Sequence, residues 1–221
     1  MPSLKVTKIV ISISGSQTTA SSSRRTDGSR YDFGFDESPT VKMLTFLLQS
    51  EESGRRLRSM LRPDDTLQFF TSPYRRTRET TEGILKTLTG EDPEQGPSPF
   101  ARHKIKVYEE PRLREQDFGN FQPCSVEMER MWQERADYGH FFYRIPNGES
   151  AADAYDRVSG FNESLWRQFG ETDFASVCVL VTHGLMTRVF LMKWFVCSTA
   201  IVLEGKRLIW LLQVPLVRRV L

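Results

Sequence analysis

Residues 176–184 read SVCVLVTHG. The first six positions are almost wholly apolar, rich in valine, and do not alternate with polar residues. That pattern predicts a strand covered on both faces, as in a parallel sheet flanked by helices. Thr182-His183-Gly184 closes the strand, and residues 185–195 (LMTRVFLMKWF) read on as an apolar helix. A histidine and a glycine between strand and helix stand at the carboxyl edge of the sheet, where open α/β folds bind ligands.

Working outward, residues 66–70 (TLQFF) form a second short strand, and Thr71-Ser72-Pro73 opens a helix. Ser72 has the chemistry of an N-cap and Pro73 suits the first helical position. The helix runs through Ile84, Leu85 and Leu88 to a stop at Gly90. Residues 54–61 are the end of an earlier helix stopped by Pro63, and residues 91–100, with three prolines, are a loop. Residues 104–108 alternate like a strand. Ser150 and Asp153 give an S-x-x-D helix start, after which Ala154, Val158, Phe161, Leu165 and Phe169 recur at helical spacing. A first strand is read at residues 5–13 (KVTKIVISI). Strands alternating with helices predict an α/β domain of three layers.

The whole chain has 221 residues with 30 Lys+Arg against 28 Asp+Glu, a net charge of +2. So even a balance argues against a nucleic-acid partner. Apolar residues at 39% and charged residues at 26% fit a globular chain. No run approaches the roughly 18 apolar residues of a membrane span, and residues 9–13 are too short for a signal-peptide core, so a cytoplasmic location is expected. Cys124, Cys178 and Cys197 are too few and too scattered for a disulfide framework or a zinc site. Residues 14–30 hold six serines and no large apolar side chain, as a loop would. Residues 196–221 form an apolar, basic tail of ambiguous helix or strand character and no assigned role. Lys206, Arg207, Arg218 and Arg219 would suit an anionic membrane surface, but Pro215 interrupts the stretch and argues against that contact.

Four places can carry chemistry, one of them the turn Pro146-Asn147-Gly148-Glu149-Ser150 that feeds a helix carrying Arg157. A helix N-terminus with an arginine, at Ser72 to Arg76, makes an anion site: the dipole attracts phosphate and the guanidinium binds it bidentately. His183 can donate to a phosphoryl oxygen while Gly184 lets the backbone approach closely. Glu115, in LREQDFG at residues 113–119, suits a general acid, since a neighbouring anion raises its proton affinity. Each has a plainer reading. Ser-Pro before a helix is most often a cap, and a glutamate between Arg112 and Arg114 is most often a surface ion pair. Arg102-His103 precedes a strand and reads as a solvated pair, and His140 reads as packing or surface.

In order, these segments resemble the histidine phosphatase superfamily, in its phosphoglycerate-mutase-like branch. The block S-P-x-x-R-(A/T)-x-(E/Q)-T is matched by Ser72, Pro73, Arg76, Thr77, Glu79 and Thr80. L-x-E-x-x-(Y/F)-G is matched by Leu113, Glu115, Phe118 and Gly119. G-E-S…R is matched by Gly148, Glu149, Ser150 and Arg157, and the apolar strand ending in H-G by residues 177–184. The resemblance implies a three-layer αβα sandwich over a core at residues 51–195, its first and last strands open to being incomplete. Residues 1–50 would be an atypical strand and loop. It implies a metal-independent phosphohydrolase working through a phosphohistidine on small phosphate monoesters. Arg76, Glu115 and His183 would be catalytic, and Arg76, Ser72, Gly184 and Gly15 would bind substrate.

One block departs. The family's Arg-His-Gly after the first strand, whose histidine is the nucleophile, is Ile13-Ser14-Gly15 here. A serine hydroxyl without an adjacent base is a poor nucleophile, so catalysis is expected to be impaired. The rival expectation is a non-catalytic protein that binds a phosphorylated ligand or a partner. Oligomeric state is not legible.

Overall fold

The structure is a computed structural model that describes residues 8–13, 39–93, 95–119, 125–195 and 211–215. In chain order the elements are β1 (Lys8–Ile13), α1 (Pro39–Met60), β2 (Leu67–Thr71), α2 (Arg75–Thr89), β3 (Lys106–Glu109), α3 (Ser125–Tyr138), α4 (Ala151–Phe169), β4 (Val177–Thr182), α5 (Gly184–Phe195) and β5 (Leu211–Pro215). Single 3-10 turns occupy Arg102–Lys104 and Pro111–Leu113.

The described strands form one sheet in the order β3-β2-β4-β1-β5. The first four are parallel and β5 is antiparallel at the edge. β4 is central and buried at all six positions, as its unbroken apolar run requires. Its side chains alternate between two cores. Cys178 and Leu180 join Ile9, Phe70, Val158, Phe161, Leu165, Val189 and Phe190 under α4 and α5. Val177, Val179 and Val181 join Val10, Leu67, Phe69, Leu57, Ile84 and Leu88 under α1 and α2. The result is the three-layer αβα sandwich. Burying a side chain of this size contributes about 1.5–3 kcal/mol, so the paired cores outweigh any surface contact.

Three expectations change. α1 begins at Pro39 and runs unbroken through residue 50, so the boundary drawn there falls inside a helix. The tail contributes β5, which pairs Leu212 with Ile11 and Val214 with Ile9, while its remaining residues lie outside the described ones. Pro215 is tolerated because it stands last in an edge strand, where a missing N–H donor breaks no inner ladder. The first and last strands are therefore both in the described sheet.

The parallel strands end flush: Thr71 lies opposite Val181 and Glu109, and Ile13 opposite Thr182. The described residues that directly follow Thr71, Glu109 and Thr182 therefore lie at one edge of the sheet.

Candidate active site

Ser72 leaves β2 with its N–H still donating to the Val181 carbonyl at 3.0 Å. The sequence makes it the N-cap, but α2 starts at Arg75, and its cap residue, Tyr74, makes no side-chain cap bond. Thr77 ties down the turn in another way, its hydroxyl proton shared between the carbonyls of Ser72 at 2.9 Å and Tyr74 at 2.6 Å. The Ser72 hydroxyl, buried at 0% exposure, faces His183 instead.

Arg76 and His183 are 107 residues apart in sequence and in contact in space. Nε and Nη2 of Arg76 stand 3.2 and 2.9 Å from Nδ1 of His183. A guanidinium has only donors, so Nδ1 accepts and the ring proton sits on Nε2. Nε2 then donates to Ser72 Oγ at 2.8 Å. Burial first, then the Arg76 and Arg157 guanidinium groups, push the His183 imidazole down to about 3, and the ring is neutral at pH 7. Tyr74 closes the outer side: its ring meets His183 edge-on at 5.1 Å, with Arg76 5.7 Å from its centre.

Glu115 sits at the N-terminus of α5, where Oε1 accepts from the backbone N–H groups of Gln116 and Met186, each at 3.3 Å. Burial raises its carboxyl above the ordinary range, against the pull of those N–H groups, Arg76 and Arg157. Arg112 and Arg114 pair with Glu110 and Glu149, so Glu115 is not half of a surface ion pair. Gly184 opens α5, and a Cβ placed there meets nothing within 4 Å, leaving room beside His183. Gly15, like Ser14, lies outside the described residues. His103 and His140 are exposed. Among the described residues no group of three or more His, Cys, Asp or Glu is placed to hold a metal ion, and no described helix is long and apolar enough to cross a membrane.

The histidine gives a pH prediction. The unfolded state binds a proton to His183 near its ordinary 6.5, while the folded state resists it down to about 3. This contribution is therefore present above 6.5 and is lost as pH falls. Glu115, raised when folded, acts oppositely, its contribution being lost as pH rises through its folded value. The drop in thermal midpoint between pH 7 and 4.5 is expected to be smaller in His183→Gln than in the unaltered chain, measured by scanning calorimetry.

The Glu115 loop is closed by backbone packing. Gly119, at φ 69°, would place a Cβ 2.2 Å from the Pro146 carbonyl oxygen, and Gly148 one 2.3 Å from that of Asp117. Gly119→Ala combines left-handed strain with that clash and is expected to cost about 1–3 kcal/mol or more. A urea midpoint shift at unchanged slope checks it.

Sequence reasoning missed three neighbours: Tyr74, Thr182 and the extended role of Arg157. Tyr74 lies inside the S-P-x-x-R block, which was its available signal.

A family model of the histidine phosphatase superfamily (branch 1) matches residues 47–202. The chain belongs to that superfamily. It is 44% identical over 164 residues to the phosphoglycerate mutase-like protein AT74 of Arabidopsis thaliana, covering 67% of this chain and 47% of that protein. It is 40% identical over 177 residues to the broad-range acid phosphatase DET1 of Saccharomyces cerevisiae, covering 60% and 53%. The chain thus spans about half the length of these relatives. Among solved structures, a putative α-ribazole-5'-P phosphatase from Escherichia coli has the same fold, with TM-score 0.58 at 12% identity, covering 90% and 84% of the two chains.

Proposed function

We propose that the Arg76–His183–Glu115 cluster is a phosphatase-type site for small phosphate monoesters, and that this chain lacks its attacking imidazole. The observation that carries it is the Arg76 guanidinium held on His183 Nδ1 at the carboxyl edge of the sheet. On phosphate binding Arg76 would leave Nδ1 of His183 for two phosphoryl oxygens, His183 would turn its Nε2 proton from Ser72 to the charge that builds in the transition state, and Glu115 would protonate the leaving oxygen. Burial supports that last role, because it keeps a proton on Glu115 to higher pH than on a free glutamate. The acid phosphatase among the relatives is consistent with this chemistry.

A second reading, a non-catalytic binder of a phosphorylated ligand, is favoured by one sequence fact: Ser14 stands where the family has its nucleophile. Both readings put phosphate on Arg76. Calorimetric titration with inorganic phosphate is expected to give one site, with p-nitrophenyl phosphate turnover indistinguishable from background. Turnover by the unaltered chain that disappears in His183→Ala would refute the impairment and leave the site.

A further inference from the structure

The segment carrying Glu115 has almost no regular structure, so its carbonyls must find partners elsewhere. Four consecutive ones do so through two side chains. Arg157, on α4, donates Nη1 to the carbonyls of Arg112 at 2.7 Å and Arg114 at 2.9 Å, and Nη2 to that of Glu115 at 3.2 Å. Thr182, the last residue of β4, donates to the carbonyl between them, Leu113, at 2.8 Å. Arg157 is itself held by Glu149, with Nε on Oε1 at 3.1 Å and Nη2 on Oε2 at 2.8 Å. Glu149 ties the far side of the same loop, accepting from the Asp117 N–H at 3.1 Å and from Arg114, while its backbone oxygen accepts from Gln116 Nε2 at 2.6 Å. Arg112 fastens the near side to α4 through the Gly160 carbonyl and Ser164 Oγ, both at 2.9 Å.

We infer that Arg157, oriented by Glu149, is a positioning residue that fixes the backbone of residues 112–115 and so holds the Glu115 carboxyl, half-buried, at the start of α5. The inference rests on the reading of Glu115 as proton donor for its catalytic meaning, but not for its geometry. Arg157 touches no reacting atom; its guanidinium is spent on three carbonyls and one carboxylate. A lysine keeps the charge but cannot bridge those carbonyls, since a single ammonium replaces a planar fork. Charge and positioning can therefore be separated. The groups acting on Glu115 are Arg76 from α2, Arg157 from α4, and the N–H groups of Gln116 and of Met186 in α5.

The test is a carboxyl-carbon NMR titration of the full chain labelled at glutamate, with Glu115 assigned by its loss in Glu115→Gln. In Arg157→Lys the Glu115 midpoint is expected to move down toward the ordinary glutamate range, because a loosened loop lets water reach the carboxyl. Glu149→Gln, which weakens the hold on Arg157 and keeps the fork, is expected to move it less in the same direction. A midpoint unchanged or raised in both variants overturns the inference, even where the melting temperature falls, since a purely stabilising clamp would move only the latter. In the I13R/S14H background, Arg157→Lys is expected to lower kcat about tenfold with KM nearly unchanged. If Glu115→Gln leaves kcat unchanged there, the proton-donor reading fails and the titration still judges the positioning.

Discussion

Replacing Ile13 by Arg and Ser14 by His together is expected to raise p-nitrophenyl phosphate turnover by several orders of magnitude. Loss of a covalent nucleophile costs on the order of 10⁶ in kcat where it has been measured, and the residue comes from binding and charge stabilisation. The sheet supplies the reason to expect recovery from so small a change. β1 lies beside β4 in parallel register, with Ile13 opposite Thr182, and the next residue of β4's chain is His183. An imidazole entering just past the end of β1 would attack phosphorus as the leaving oxygen departs with a proton from Glu115. Water, giving up a proton to the Glu115 carboxylate, would then split the phosphorus–nitrogen bond, releasing phosphate, the free imidazole and Glu115 in its protonated form. Steady-state assays of the double variant, with His183→Ala added as control, measure this. A double variant that melts like the unaltered chain and still gives background rates would contradict the reading.

Arg76→Met is expected to weaken binding of inorganic phosphate by more than about a hundredfold. Hydrogen bonds to charged partners contribute about 1.5–3 kcal/mol each, and a bidentate guanidinium supplies two at once. Arg75 is the matched control: it is its exposed neighbour, paired with Glu79 at 2.7 Å, and Arg75→Met is expected to leave affinity unchanged. The titration belongs at pH 8. Removing Arg76 also removes a cation that holds the His183 proton affinity down, and at lower pH a charged imidazole could mask the loss. Equal affinities for the two variants at pH 8 would take Arg76 out of the site.

Local chemistry made much of this legible. Five apolar residues, 177–181, ending in Thr-His-Gly mark the central strand and the turn that carries His183, because full burial leaves no alternation. Ser150 and Asp153 form the reciprocal capping box their spacing predicts, with Ser150 Oγ accepting from the Asp153 N–H at 3.1 Å. Ser72 went the other way. Its sequence context is that of a cap, but a partner 111 residues distant, His183, occupies its hydroxyl. Such pairings depend on strand order, which periodicity does not encode. The carbonyl-clamping role of Arg157 was hidden for the same reason: its partners are main-chain oxygens, which have no sequence identity. The start of α1 is weakly marked in the sequence: Ser38-Pro39 is a helix-opening pair, but a serine-rich stretch at residues 14–30 gives the whole region the composition of a loop. Among the described strands β5 is paired with β1 alone, and a five-residue run ending in proline gives too little pattern to separate strand from helix.

The convergence of three distant side chains on one anion can be examined directly by soaking crystals of the unaltered chain in orthovanadate and determining the structure. The account predicts vanadium between Arg76 and His183, its oxygens within hydrogen-bond distance of both and Glu115 at the same cavity. Vanadate bound elsewhere, with the Arg76 guanidinium still closed on Nδ1 of His183, would contradict it.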